Sequence, residues 1–339
     1  MKTRKLFLRL SILGAIFLIT QIAASQPQAN PLRIYCIDVD QGSSTLIVTP
    51  NGKSILIDCG DDGKEDSVYD VISNKAQLSA IDYFVCTHYH DDHYGALDKL
   101  IAKGLTISDI FYDRDSQNWL GDHRTGTTDY QEYDSISTGK REYLRPGHTI
   151  SIDPEVEIEC VVANGRAKGE YGPIDYPADE NGYSLGLIVS YKGFDFLIAG
   201  DITEDVENKL VSNDVLKDVD VYHVSHHGAE TSSCQPFLDA IKPEVCIVSS
   251  GTNGTYKHPR KTIIERLENI PSEVYQLNKN MQESTYSDKI KNVPDDHIGD
   301  VDCVGAEGTI LIKITQDQYV VRLLGRNIQK AFNIEKNNQ

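Results

Sequence analysis

Apolar residues fall in short runs along this chain, and the runs change character part-way. Residues 32–39, 44–49 and 54–57 are compact apolar stretches. The second is closed by Pro50-Asn51-Gly52 and the third by Asp58-Cys59-Gly60. Runs of this length, bounded by turn formers, predict strands joined by tight turns. Val68, Val71 and Ile72, at three- and four-residue spacing, predict a helix over 64–78, and Ile81, Tyr83, Phe84 and Val85 predict a buried strand over 80–86. A strand follows at 109–112 and another at 156–162. Strand and helix then alternate at 196–202, 204–211, 219–224, 233–241, 245–250 and 262–267, and the chain closes on strands at 274–277, 308–314 and 319–323. The order predicts an α/β fold whose sheet starts antiparallel and is later covered by helices. Three polar stretches break the pattern. Residues 113–145 hold the only tryptophan, Trp119, and read equally as a lid beside a site or as a helix with a surface loop. Residues 279–307 read as a loop insertion and 326–339 as a polar C-terminal tail.

The chemistry concentrates in Thr87-His88-Tyr89-His90-Asp91-Asp92-His93, directly after the 80–86 strand. His88, His90, Asp92 and His93 put four metal-type side chains on one turn between a strand end and a helix start, where a rigid scaffold presents side chains to solvent. Imidazole and carboxylate donors suit zinc, iron or manganese. His88 and His90 alternate and can grip one ion, while Asp92 and His93 turn toward a second. A polar turn that gathers histidines by chance is the alternative. Three of the chain's ten histidines within six residues weigh against it.

The segment resembles the His-x-His-x-Asp-His signature of the metallo-β-lactamase fold hydrolases. A second resemblance lies upstream, in Ile37-Asp38-Val39-Asp40-Gln41-Gly42, Leu46-Ile47-Val48-Thr49-Pro50 and Ile55-Leu56-Ile57-Asp58-Cys59-Gly60, which are similar to the opening of the soluble competence-protein (ComEC) subgroup; Asp40 stands where that subgroup has Gly. The likeness runs from about Leu32 to about Leu324. It implies one four-layer αββα domain over 32–325. Carried onto this chain, it implies that Asp58 orients the histidine turn and that Asp201, in Phe196-Leu197-Ile198-Ala199-Gly200-Asp201, is the carboxylate shared by two metals. His226 and His227, in His-His-Gly, would diverge from an extended backbone, one binding metal and the other meeting substrate or a supporting partner. His258, in Tyr256-Lys257-His258-Pro259, supplies the last ligand. Asn181 and Ser184 match an Asn-x-x-Ser motif and either brace the site, hold a substrate oxygen or cap a turn. His148, in Pro146-Gly147-His148-Thr149, is structural in this subgroup, although other branches place a ligand in such a string. The expected metal set is therefore His88, His90, Asp92, His93, Asp201, His226, His227 and His258, around two divalent ions, zinc or manganese. Asp92 and His227 are the expected catalytic residues, with the Asp92 carboxylate placed to orient a metal-bridging hydroxide. Competence-type members imply phosphodiester substrates, and exported relatives include enzymes that remove phosphorylcholine from cell-wall polymers. A nuclease, or a lactamase or lactonase using the same metals on a carbonyl centre, is the alternative.

Charge and the N-terminus narrow the partners. Lys2, Arg4, Lys5 and Arg9 precede an apolar run over 10–22, and Ala23-Ala24-Ser25 offers small residues for cleavage. Residues 1–25 thus read as an export signal, because the run falls short of a comfortable membrane span of roughly 20 residues. Removing them takes the formal charge from −18 to −22. Such a chain repels polyanions at long range and shows no basic stripe, which disfavours nucleic acid and favours a small-molecule or cell-surface phosphodiester. Seven cysteines, five of them in apolar runs, do not make a disulfide framework.

Overall fold

The computed structural model describes residues 30–114, 127–171, 177–303 and 307–334. The export segment and Trp119 lie outside them. Among the described residues the strands form two large sheets, each antiparallel in one half and parallel in the other.

The first sheet begins with β1 (Leu32–Cys36), β2 (Ser44–Val48) and β3 (Ser54–Cys59), paired antiparallel. Helix α1 (Glu65–Asp70), extended by a wider turn over Val71–Lys75, crosses to β4 (Ala80–Val85), which runs parallel to β3. After β4 come the short helix α2 (Asp91–Tyr94) and α3 (Leu97–Ala102), then β5 (Thr106–Arg114), α4 (Thr128–Ser137) and β6 (Arg141–Leu144), with β5 and β6 continuing the parallel half. The polar stretch after residue 113 is therefore partly regular.

The second sheet opens with β7 (Thr149–Asp153), β8 (Val156–Ala163) and the short β9 (Arg166–Ala167), followed by β10 (Gly186–Tyr191) and β11 (Phe194–Ile198), again antiparallel. Its parallel half alternates α5 (Glu204–Ser212), β12 (Val221–His223), α6 (Gln235–Ile241), β13 (Val245–Val248), α7 (Lys261–Glu268) and β14 (Glu273–Asn278).

Two expectations are corrected. The 279–307 stretch is not only a loop: β15 (Ile298–Asp300) adds a parallel strand beside β14. The C-terminal stretch is not only a tail. Strands β16 (Ile310–Ile314) and β17 (Gln318–Leu323) are followed by β18 (Ile328–Asn333), which pairs antiparallel with β17 along its whole length. Its sequence reads as polar because an edge strand buries one face; Phe332 supplies that face, stacked on Tyr319 at 5.0 Å.

Strand β16 joins β1, so the final three strands complete the first sheet in the order β18-β17-β16-β1-β2-β3-β4-β5-β6. Ile34, Ile47, Ile57 and Val85 of that sheet pack against Leu187, Phe196, Val221 and Ile247 of the other, forming the central core. α1, α3 and α4 cover the outer face of the first sheet and α5, α6 and α7 that of the second. The result is the expected αββα sandwich. All seven cysteines are free thiols. The parallel halves matter for function, because β3, β4, β11, β12 and β13 deliver their carboxyl ends to one edge of the sandwich, where open α/β sheets place ligands.

Candidate metal centre

Asp58 organises the turn after β4. It is fully buried at φ 56°, at the end of β3. Its Oδ1 accepts the Thr87 backbone N–H at 2.9 Å and its Oδ2 accepts the Thr87 hydroxyl at 2.8 Å. His93 Nδ1 stands 2.7 Å from the same Oδ2. An Nδ1–H donated there leaves Nε2 as a bare lone pair facing the cavity. His88 and His90 flank Tyr89, with His88 Nε2 3.0 Å from His90 Nδ1. The Asp92 carbonyl accepts the Ser43 N–H at 3.1 Å, and a Cβ on Gly42, whose φ is +136°, would sit 2.6 Å from that carbonyl oxygen. Only glycine lets the first loop close over the turn.

The second sheet supplies the opposite wall. Asp201 follows β11, and its backbone N–H donates to Ser184 Oγ at 3.1 Å. Ser184 is thus a brace for the Asp201 loop. His226 and His227 do not lie on extended backbone as expected. Both are left-handed, at φ 53° and 54°, and Gly228 follows at φ 77°. Extended backbone would send consecutive side chains to opposite faces. The left-handed pair instead brings His226 Nε2 to 3.7 Å and His227 Nε2 to 3.4 Å from Asp201 Oδ2. Each such residue costs roughly 1–3 kcal/mol, a strain found at functional sites. The two imidazoles differ in their remaining contacts. His227 Nδ1 faces the Ser249 carbonyl at 3.0 Å, so it donates there and Nε2 is the nitrogen left facing the cavity. His226 has both ring nitrogens engaged, Nδ1 with Thr231 Oγ1 at 2.9 Å and Nε2 with the donating Asn181 amide at 3.2 Å.

Two groups of donor atoms result, His88 with His90 and Asp201, and Asp92 with His93 and His227; within each, one atom per residue lies within 4.8 Å of the others. Asp201 ties them together, because its Oδ1 is also 3.3 Å from His93 Nε2. The donors fit divalent cations. His93 Nε2 and His227 Nε2 are buried and have no hydrogen-bond partner among the described residues, which is costly for a polar atom unless something else meets it. His258 sits beside these groups without joining either; its ring lies 6.2 Å from that of His227, and its Nδ1 is likewise buried without a partner among the described residues. His148 is exposed and lines a different cavity, with Arg145 and Lys168. His223 is a buried residue of β12.

Burial alone would keep these histidines neutral. At His227 the carboxylates of Asp201 and Asp92 outweigh it and push the imidazole up to about 10. At His258 burial wins, helped by the neighbouring imidazoles, and the value falls to about 3. The cavity over the centre measures about 370 Å³ and is lined by Gln41, Asp61, Asp91, Asn181, Asn253 and Tyr256 besides His90, Asp92, Asp201, His226, His227 and His258; no Lys or Arg is among the described residues lining it.

Sequence reasoning missed the device that holds Tyr89. Arg114 and Glu180 form a fully buried ion pair, with Arg114 Nη2 donating to both Glu180 oxygens at 2.7 Å. Glu180 Oε1 also accepts the Tyr89 backbone N–H at 2.9 Å, and the guanidinium lies 4.3 Å from the Tyr89 ring centroid. The Tyr89 hydroxyl donates to buried Asp113 at 2.8 Å. The residue between His88 and His90 is therefore pinned at both ends. The one local signal was a charged pair of residues flanking otherwise polar loops, which does not reveal a partner 66 positions away.

A family model for the metallo-beta-lactamase superfamily matches residues 37–251. The chain belongs to the metallo-beta-lactamase superfamily. Members of this superfamily are metal-dependent hydrolases, and the two His/Asp groups are where this member can hold divalent ions. The chain is similar to competence protein ComA of Neisseria gonorrhoeae, 26% identical over 259 residues, covering 75% of this chain and 32% of that protein. Recombination protein 2 of Haemophilus influenzae is 25% identical over 268 residues, covering 77% and 30%. ComE operon protein 3 of Bacillus subtilis is 23% identical over 264 residues, covering 72% and 31%. The chain thus spans about a third of the length of these relatives, and the competence-type resemblance is upheld at the level of the family.

Proposed function

We propose that this hydrolase is an exported, binuclear metal-dependent phosphodiesterase. The observation that carries the binuclear reading is Asp201, whose two oxygens reach donors of both groups, at 3.3 Å from His93 Nε2 and 3.4 Å from His227 Nε2, with His88 Nε2 at 4.0 Å. Two divalent cations, when bound, supply Lewis acidity toward a phosphoryl oxygen and lower the pKa of a water toward about 7. The residues do the rest. Asp58 and the Ser249 carbonyl fix His93 and His227 in the tautomer that presents a lone pair. Asp92 Oδ2, 3.4 Å from His227 Nε2, points a carboxylate at the same space and can accept the proton of an attacking water. Asn181, held against His226, offers an amide to a substrate oxygen.

Substrate size and charge follow from the cavity. About 370 Å³ admits a single small phosphodiester group with one substituent, and a wall whose described residues include Asp61 and Asp91 but no Lys or Arg disfavours a polyanionic strand. Two relatives carry competence and recombination in their names, which keeps nucleotide phosphodiesters within the class. The export reading rests on the Lys2-to-Ser25 segment alone. Chelation tests the proposal: protein stripped of metal should lose hydrolysis of bis-(p-nitrophenyl) phosphate and regain it with added zinc or manganese. Undiminished hydrolysis in fully stripped protein would overturn it.

A further inference from the structure

Among the described residues only three large apolar side chains stand exposed, Tyr171, Tyr256 and Met281, and one of them forms the wall of the metal cavity. Tyr256 is 63% exposed. An aromatic ring left in water at the rim of a catalytic cavity is not a packing residue, because its face gains nothing from burial in the fold. Its backbone is nonetheless fixed. Asn253 Oδ1 accepts the N–H groups of Tyr256 and Lys257 at 2.7 and 3.4 Å, and Asn280 Nδ2 anchors the loop by donating to the Asn253 carbonyl at 3.1 Å.

The ring also has a defined relation to the centre. It stacks with His258 at 5.9 Å and 28°, and His258 stacks with His227 at 6.2 Å and 24°. Three near-parallel rings thus lead from a metal-facing imidazole to the mouth. Lys257, next in the chain, turns away, with its Nζ donating to the Thr255 carbonyl and lying 4.8 Å from the Tyr286 ring. Among the described residues, the cavity wall carries none of the Lys and Arg side chains that usually hold a phosphate ester. On this described wall an exposed aromatic face is the contact that can add affinity beyond the metal ions, worth about 1–3 kcal/mol for a stacked base.

We propose that Tyr256 is a specificity-determining residue, the stacking platform for an aromatic group, such as a nucleobase, carried by the phosphodiester substrate. The proposal rests on the phosphodiesterase reading and names the substrate class within it. Stacking of a base on an aromatic side chain is sequence-tolerant and selects for the ring, not for charge, which suits a cavity in an acidic chain. Ring and phosphodiester need to be about one nucleotide apart, and the cavity volume of about 370 Å³ admits a group of that size.

The test compares two phosphodiesters of equal charge that differ in whether they carry a ring, the methyl esters of thymidine monophosphate and of methyl phosphate, with products read by chromatography, on the metal-loaded full chain. The ratio of kcat/KM should favour the thymidine ester. Tyr256→Ala should reduce that ratio by about 5- to 150-fold, and Tyr256→Trp should preserve or raise it. A wild-type ratio near one, or a ratio that survives in Tyr256→Ala, overturns the proposal. Calorimetric binding of methyl thymidine phosphate and of dimethyl phosphate separates it from the catalytic reading. If neither ester is hydrolysed but the thymidine ligand binds preferentially through Tyr256, the phosphodiesterase reading falls and the platform stands. If hydrolysis proceeds and the two ligands bind alike, the platform falls and the phosphodiesterase stands.

Discussion

Replacing Asp58 by Asn should switch a histidine from metal-ready to metal-blind while hardly disturbing the fold. Three donors converge on this carboxylate: the Thr87 N–H on Oδ1, and the Thr87 hydroxyl and His93 Nδ1 on Oδ2. An amide has one acceptor oxygen to offer. The backbone N–H can only donate, so it claims that oxygen, and the amide nitrogen takes the place of Oδ2. The hydroxyl can turn to accept. His93 can also accept, but only by moving its proton from Nδ1 to Nε2, the atom that faces Asp201 at 3.3 Å. The lone pair is then gone from the cavity. Loss of an orienting partner of this kind lowers metal affinity by about 10- to 100-fold, which at 1.36 kcal/mol per decade is about 1.4–2.7 kcal/mol. Every buried donor keeps a partner, so the metal-free protein should lose less than about 1 kcal/mol. Competition with a chromogenic chelator reads the affinity, urea unfolding of the stripped protein reads the stability, and nitrogen NMR of His93 reads the tautomer. Metal affinity within two-fold of the parent, together with a metal-free fold weakened by several kcal/mol, would refute the reasoning and leave Asp58 a turn residue.

The buried pair gives a stability prediction. Glu180→Leu strands the Arg114 guanidinium and the Tyr89 N–H and should cost about 3–5 kcal/mol in urea unfolding. Adding Arg114→Met should restore most of it; a loss under about 1 kcal/mol in the single variant would contradict the assignment. The centre should also show a pH dependence. Burial disfavours charge on His227, yet Asp201 and Asp92 hold it up to about 10 in the metal-free protein, against an ordinary 6.5. That pairing stabilises the metal-free fold fully below 6.5 and is lost as pH rises through about 10. Metal binding at neutral pH must displace the proton, so apparent affinity should climb about tenfold per pH unit for each proton released. Calorimetry in buffers of different ionisation enthalpy counts those protons, and a pH-independent affinity with no proton release would contradict this.

How much of this was legible in the sequence depended on distance along the chain. His88, His90, Asp92 and His93 share one turn, so their spacing alone placed them together. Asp201, His226, His227 and His258 each follow a strand of the second sheet, and only the family resemblance singled them out; nothing local distinguishes Asp201 from other residues after a Gly. The left-handed backbone of His226 and His227 was hidden because neither residue type announces a positive φ. Strand β18 escaped because an edge strand that buries one face reads as polar, and β15 because three residues are too few to show a period. The Arg114–Glu180 pair and the His258–His227 stack are made by tertiary packing between elements far apart in sequence, which no local period records.

The central claim is that Asp201 joins two metal sites into one reactive centre. Metal content per chain, measured by native mass spectrometry alongside hydrolysis of bis-(p-nitrophenyl) phosphate, addresses it directly in the parent protein and in Asp201→Ala. Two ions per parent chain, with at most one ion and no hydrolysis in Asp201→Ala, is the expected result. A parent that takes up one ion or none, or an Asp201→Ala variant that keeps two ions and full hydrolysis, would contradict it.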